Sequence, residues 1–272
     1  MIRVVKVGGR AQGNPRLGAA LAQLAQLAQG GISKNTSTVQ TDSLCIVHGG
    51  GDEVSTLQRR LGLVPRFSGG RRVTSRQDLE VVRMVLSGTI NKRLVAVLLG
   101  EGVRAVGISG EDAMLLAAYT VDAERMGRVG GAVAVKPEIL FHLLAGGFVP
   151  VISPLARDAD ARSGIDSALN VNGDDAAAAL AVALSADELV LVADVPGVID
   201  DGAVRALLDI EGANALIANG VAAGGMAAKL EAAVHALQGG VNSVRITGLE
   251  GLNDVCAGTR IVLSPSSARV LQ

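Results

Sequence analysis

Five short stretches of this chain carry residue types suited to holding a phosphate. The first is Val5-Lys6-Val7-Gly8-Gly9, a lysine inside an aliphatic run that ends on two glycines. An ammonium group is costly to bury unless an anion meets it, and glycines let backbone N–H groups approach a phosphate closely. An edge-strand lysine facing solvent would read the same way. The second is His48-Gly49-Gly50-Gly51-Asp52-Glu53, whose glycines directly precede a helical pattern. Free N–H groups at a helix N-terminus cradle anions, although any tight strand-to-helix turn also favours glycine. The third is Phe67-Ser68-Gly69-Gly70-Arg71-Arg72-Val73-Thr74, where Arg72 offers a fork for a carboxylate or simply a solvated surface charge. The fourth, Asn170-Val171-Asn172-Gly173-Asp174-Asp175, places Asp174 either as a helix cap or as an anchor for lysine ammonium groups. Asn170 there suits a substrate carboxylate or amide. The last is Gly224-Gly225-Met226-Ala227-Ala228-Lys229, a lysine in the first turns of a helix, where it opposes the helix dipole unless an anion sits at the same end. Together these supply glycine-rich turns, two lysines, an aspartate and an arginine. Phosphoryl transfer needs little else, because positioning and charge neutralisation supply nearly all of its catalysis.

Other chemistries find less support. No G-x-x-x-x-G-K-[ST] occurs, and no G-x-G-x-x-G follows the first aliphatic run, which excludes a P-loop and counts against an ordinary dinucleotide fold. A formal charge of −1 and an aromatic content of 1% leave neither a broad basic surface nor stacking platforms for nucleic acid. Cys45 and Cys256 both sit in apolar sequence and read as buried thiols of a reducing compartment. The three histidines have no metal-ligand spacing: His48 opens a glycine turn and helps to shape it, while His142 and His235 lie in helical patterns. The chain enters a strand at once, without a signal-peptide pattern. Its longest apolar stretch, Ala176 to Ala186, is too short to span a bilayer. A cytoplasmic protein is expected.

The elements that must position these residues are legible as alternation. Of the 272 residues 49% are hydrophobic, ample for one large α/β domain or two lobes sharing a sheet. Aliphatic runs predict strands at Ile2–Val7, Leu44–Val47, Ala105–Ile108, Val149–Ile152, Leu189–Val192 and Ser243–Ile246. Such runs are what strands buried on both faces of a parallel sheet require. Helical spacing between them, as in Leu17–Gln29 and Asp175–Leu184, argues for βαβ crossovers. A long helix is predicted from Arg76 to Leu99, capped by Ser75 with Asp78, with Val82, Val85, Leu86, Ile90, Leu94 and Val97 as one apolar stripe. Residues 30–43 and 157–167 read as polar loops. No linker marks a domain boundary.

The motifs resemble, over nearly the whole chain and in order, those of the amino acid kinase family, in particular its acylglutamate-phosphorylating members. Besides the five stretches, the similarity includes Met84–Lys92, Gly107-Ile108-Ser109-Gly110, Pro150–Pro154 and Asp194-Val195-Pro196-Gly197-Val198. The resemblance implies a three-layer αβα sandwich with an open, mainly parallel sheet, in one domain. Its N-lobe (residues 1–174) would bind the acylamino acid and dimerise, and its C-lobe (residues 175–272) would bind ATP. The implied reaction is transfer of the γ-phosphoryl of ATP to the γ-carboxylate of N-acetyl-L-glutamate, in arginine biosynthesis, with Mg2+ held chiefly by the phosphates. By the same resemblance, Lys6 and Lys229 would stabilise the transferring group and Asp174 would orient both. Gly8, Gly9 and Gly50 would donate N–H bonds to it. Arg72 and Asn170 would grip the substrate α-carboxylate, with Gly49 and Gly50 at its reacting end. The segment Asp194–Asp200, including Gly197, would line the ATP site with Gly225 and Met226.

Departures from the family pattern are Ala193 where Thr is usual, a longer loop at 157–167 and an abbreviated region after Thr247. No helix precedes the first strand, a feature that arginine-inhibited hexameric relatives carry, so a homodimer without strong arginine feedback is expected. A related kinase acting on aminoadipate or glutamate attached to a small acidic carrier protein has a lysine-rich hairpin near the position of Ala123–Gly131. That stretch is only modestly basic here, which favours a free small molecule. A catalytically dead regulatory binder is the alternative from another class.

Overall fold

A computed structural model describes residues 1–8, 10–29, 42–161 and 167–263. In chain order the elements are β1 (Ile2–Val7), α1 (Leu17–Gln29), β2 (Ser43–His48), α2 (Gly51–Arg60), β3 (Arg66–Ser68), β4 (Arg71–Val73), α3 (Arg76–Arg83), α4 (Asn91–Gly100), β5 (Ala105–Ser109), β6 (Leu116–Thr120), β7 (Val129–Val135), α5 (Glu138–Ala145), β8 (Val149–Ser153), β9 (Leu155–Asp158), β10 (Ala168–Val171), α6 (Gly173–Ala183), β11 (Glu188–Ala193), β12 (Ile199–Asp200), β13 (Ala203–Val204), β14 (Leu207–Asp209), α7 (Ile210–Ala218), α8 (Gly225–Gln238), β15 (Ser243–Gly248) and β16 (Thr259–Val262). All six aliphatic runs form strands of one eight-stranded sheet ordered β14-β16-β15-β11-β1-β2-β8-β5, parallel except where β16 runs against β15. Helices cover both faces, giving the expected three layers.

Period-two alternation sorts side chains to those faces. On β1, Val5 and Val7 join the core under α1, α3 and α4, whereas Val4 joins the core under α6 and α8. Lys6 shares the parity of Val4, so its side chain leaves the sheet on the α6 side. His48 at the end of β2 shares the parity of Leu44 and Ile46 and leaves on the opposite, α4 side.

The long helix is one rod in three parts, with a π-helical segment (Met84–Ile90) between α3 and α4. Its start is a capping box: Ser75 Oγ accepts from the Asp78 N–H, and the Asp78 carboxylate accepts from the Ser75 N–H. The π turn inserts one residue into the helical register. The buried row consequently runs Val82, Leu86, Ile90, Leu94, Leu98, and Leu98 is fully buried while Val97 is 41% exposed. Val97 therefore leaves the predicted stripe. The rod also buries Asn91, a polar residue, at the end of the π segment.

Two features lie outside the sequence reading. Strands β6, β7, β9 and β10 close into a small barrel beside the main sheet, and β3 with β4 forms a separate hairpin. Arg157 and Asp158, expected in a loop, belong to β9, where Arg157 pairs with Ala168 of β10 and Asp158 with Ala118 of β6; residues 162–166 of that loop, and most of the predicted loop at 30–43, lie outside the described residues. Cys45 is buried, and burial pushes its thiol up to about 12. Cys256 is exposed, contrary to expectation. It stands on the turn between β15 and β16, where its N–H donates to Asp254 and its side chain faces out. Among the described residues no helix is long and apolar enough to cross a membrane.

Candidate active site

The chain lays down β1 and β2, extends to β8 and β5 on one side, then returns to place β11 and β15 on the other side of β1. Open α/β sheets bind ligands outside the carboxyl ends of strands at such a reversal. Two cavities open there. One, of about 240 Å3, is lined by Lys6, Gly49, Gly50, Arg72, Asn170 and Asp174 with neighbouring residues. The other, of about 770 Å3, lies past the ends of β11 and β15 and is lined by Ala193, Asp194, Pro196, Gly248 and Gly251 among others.

Lys6 lines the smaller of them. Its Nζ lies 2.9 Å from Asp174 Oδ1, and Lys229 Nζ lies 3.2 Å from Asp174 Oδ2. The capping question at Asp174 resolves in favour of the lysines: Asn172 is the N-cap of α6, and its side chain accepts from the Asp174 N–H at 2.7 Å. The Asp174 carboxylate is thereby left to its cations. Burial alone would raise its pKa, but the Lys6 and Lys229 ammonium groups outweigh burial and hold it below the ordinary carboxylate value. Burial and then the nearby Lys6 charge lower the Lys229 pKa, against the attraction of Asp174. Two ammonium groups on one carboxylate leave a net positive charge in a nearly closed site, the condition for drawing in a further anion.

Arg72, on β4, is buried against α2. It donates to Gly51 O at 2.7 Å, to Ser55 Oγ at 2.8 Å and to Gln58 Oε1, with its guanidinium carbon 4.7 Å from the centre of the Phe67 ring. Burial lowers its pKa, and Asp78, reached through Gln58, opposes that. Three of its five N–H groups are used within the fold, so a carboxylate in the cavity meets a fork with donors to spare. Asn170 Nδ2 donates to Thr74 Oγ1 at 3.1 Å, and Thr74 donates back to Arg72 O at 2.8 Å, which ties β10 to the arginine hairpin.

Gly50 has φ 150° and is the N-cap of α2. A Cβ there would strike Ile90 and Leu86 on the π segment, so the close packing as well as the dihedral requires glycine. Gly8 is described but Gly9 lies outside the described residues. Asp194 lines the larger cavity; Gly225 and Met226, which open α8 behind Gly224 at φ 54°, are not among its lining. Gly197 and Asp200 are not among its lining. Gly197 packs against Thr259 and Val204, and Asp200 pairs with Arg205 at 2.6 Å.

A model of the amino acid kinase family matches residues 1–248. The chain belongs to the amino acid kinase family. Within that family it is 44% identical over 262 residues to the acetylglutamate kinase of Chloroflexus aurantiacus, covering 95% of this chain and 96% of that one. It is 46% identical over 221 residues to the acetylglutamate kinase of Methanopyrus kandleri, covering 78% and 88%. A solved structure from Streptococcus mutans superposes with a TM-score of 0.82 at 26% identity, over 97% of this chain and 99% of the other.

Three contributors escaped the sequence reading. Arg71 pairs with Asp175 at 2.7 Å and lines the smaller cavity, and the double arginine on one short strand was its signal, since adjacent residues face opposite ways. Gln12 reaches Gly49 O at 2.9 Å, and nothing local marks it. Arg245 is fully buried and ties together the turn that lines the larger cavity, donating at 3.0 Å to the carbonyls of Gly251 and Asp254 and to the Glu188 carboxylate. A lone arginine in an aliphatic strand was its signal.

Proposed function

We propose that this chain is an acetylglutamate kinase, transferring the γ-phosphoryl of ATP to the γ-carboxylate of N-acetyl-L-glutamate and releasing ADP and N-acetyl-L-glutamyl 5-phosphate, a step of arginine biosynthesis. The observation that carries the reading is the junction of Lys6, Asp174 and Lys229, whose first two members line the smaller cavity while the larger opens past the ends of β11 and β15. The larger cavity takes the nucleotide and the smaller the acylamino acid. The domain accordingly works as an N-lobe of residues 1–174 for the acylamino acid and a C-lobe of residues 175–272 for ATP, on a shared sheet.

Arg72 and Asn170 hold the α-carboxylate, and the γ-carboxylate lies toward Gly49 and Gly50. It is already ionised at neutral pH, so it needs no general base. Its oxygen forms a bond to the γ-phosphorus as the bond from phosphorus to the bridging oxygen breaks, and no proton moves. Lys6 and Lys229 meet the charge on the equatorial and bridging oxygens, Asp174 keeps the two ammonium groups from diverging, and N–H groups of Gly8, Gly9 and Gly50 complete the cradle. Asp194, Gly197, Asp200, Gly225 and Met226 belong to the nucleotide side. Among the described residues no group of three or more His, Cys, Asp or Glu side chains is placed to hold a metal. Mg2+ would be bound chiefly through the phosphates, whose charge it neutralises.

The free amino-acid derivative is favoured over a carrier-linked one because Ala123–Gly131 holds only two cations, Arg125 and Arg128, which face Asp122 at 4.0 Å and Asp158 at 3.9 Å. The reading includes a homodimer, for which Met84, Val97 and Leu99 are exposed apolar residues on the long helix; sedimentation tests it. An ADP-release assay with N-acetylglutamate, glutamate, aspartate and aminoadipate tests the activity. Turnover confined to N-acetylglutamate is expected, and no turnover with it overturns the reading.

A further inference from the structure

Around the Gly49–Gly50 peptide the fold spends three buried polar side chains, Gln12, His48 and Asn91, that lie outside the ion-pair junction. Gly49 O accepts from His48 Nδ1 at 2.9 Å and from Gln12 Nε2 at 2.9 Å. A carbonyl only accepts, so the His48 proton sits on Nδ1. His48 Nε2 is left as an acceptor, and Asn91 Nδ2 donates to it at 3.2 Å. The orientation of the Asn91 amide is itself fixed: Nδ2 also donates to Val151 O at 2.9 Å, while Oδ1 accepts from Lys92 Nζ at 3.1 Å. Burial lowers the His48 pKa to about 4, so the ring stays neutral and in this one tautomer at neutral pH. Asn91 stands where it does because the π turn ends at Ile90, and π turns often occur at functional sites.

In a trans peptide the C=O and N–H point in opposite directions. Drawing the Gly49 carbonyl into the protein therefore turns the Gly50 N–H outward, into the cavity where Lys6 and Asp174 lie. The precaution is needed here because a peptide between two glycines meets little steric resistance to rotation. If it turned over, a carbonyl dipole would face the incoming phosphate instead of a donor. Two donors on the carbonyl also polarise the peptide and strengthen the N–H on its far side.

We propose that His48 and Gln12, with Asn91 behind them, are positioning residues that clamp the Gly49 carbonyl so that the Gly50 N–H is aimed at the phosphoryl group in transfer. The proposal rests on the phosphoryl-transfer reading of the site, and its test separates the two. Gln12 comes from the segment after β1 and Gly49 from the turn after β2, so the clamp also locks the two glycine turns to each other.

The test uses His48→Leu, His48→Asn, His48→Gln and Gln12→Met in the full chain. An Asn amide nitrogen reproduces Nδ1, whereas that of Gln reproduces Nε2. The expected result is a fall in kcat of roughly tenfold to hundredfold for His48→Leu, with both KM values within about threefold of the parent, as for a misaimed transition-state donor. His48→Asn restores most of the loss, His48→Gln does not, and Gln12→Met falls between. In protein labelled with 15N-glycine and free of substrates, the Gly50 amide signal moves in His48→Leu and Gln12→Met and returns in His48→Asn. Unchanged kcat in both His48→Leu and Gln12→Met overturns the proposal, as does equal impairment of His48→Asn and His48→Gln with raised KM values. A parent enzyme without kinase activity sinks the functional reading instead, and the Gly50 signal still decides the clamp: if it does not move in His48→Leu, there is none.

Discussion

Replacing Lys229 with alanine removes one of the two ammonium groups that meet at Asp174. The substitution is clean because Asp174 keeps Lys6 at 2.9 Å and is not left as a buried unpaired charge, a loss that by itself would cost about 3–5 kcal/mol of stability. What disappears is a cation whose side chain is only 12% exposed. An ammonium about 4 Å from a phosphoryl oxygen is worth about 4 kcal/mol per unit charge at an effective dielectric of about 20. Catalysis depends on how much of that charge develops during transfer. A shift of roughly half to one unit onto the oxygen that Lys229 faces gives about 2–4 kcal/mol, or a loss of about 30-fold to 1000-fold in turnover. The assay is steady-state ADP release with saturating N-acetylglutamate and varied ATP, with thermal melting as a check on folding. The KM for ATP is expected to rise by no more than about tenfold, since uniform binding is the smaller part of the effect. Combining Lys229→Ala with Lys6→Ala should cost less than the sum of the two, because both groups act through one carboxylate on one anion. A Lys229→Ala enzyme with parental kcat and only a raised KM for ATP would refute the reasoning, since it would make the lysine a ground-state contact.

Arg72→Ala should raise the KM for the acylated substrate by roughly tenfold to a hundredfold, the worth of a charge-assisted hydrogen bond, and leave that for ATP unchanged; an effect on ATP alone would show the two cavities to be assigned wrongly. Arg245→Met strips donors from the turn carbonyls of Gly251, Leu252 and Asp254; it should lower the melting temperature and raise the KM for ATP without changing that for the acylated substrate. Two pH windows of stability should separate in urea titrations. Asp174 is held below its ordinary 3.8 in the folded state, so its contribution is present above about 3.8 and lost as pH falls through the folded value. The parent should therefore lose stability more steeply than Asp174→Asn below about pH 4. His48 is pushed from 6.5 to about 4, so the unfolded chain binds the extra proton between those values and stability declines as pH drops through that window, by about 3 kcal/mol in full. His48→Asn should flatten this decline, and an unchanged slope would contradict the buried neutral imidazole.

The strands that carry the site were legible because a parallel sheet covered on both faces turns each strand into an aliphatic run, a local pattern. Ile2–Val7 and Val149–Ile152 emerged nearly at their observed limits for that reason. The chemical groups were legible because glycine turns, capping positions and isolated cations are also local. What the chain order could not give is convergence. Whether Lys6 is a solvated edge residue or half of an ion-pair junction depends on β11 arriving beside β1 and on α8 lowering Lys229 onto the start of α6, contacts between segments far apart in the chain. The same holds for Asp174, whose carboxylate is free for lysines only because Asn172 takes the cap. Val97 yielded its core place to Leu98 because one π turn shifts the helical phase, an energetic compromise that rewards the burial of Asn91 and is invisible to periodicity. Short barrel strands such as Leu155–Asp158 stayed hidden because they are too brief and too mixed to show alternation. Residue types thus determined what this protein is able to do to a phosphate. Only tertiary packing decided which peptide and which two lysines face it, because the low-dielectric cleft that gives their charge its strength exists only once the distant elements have closed around it.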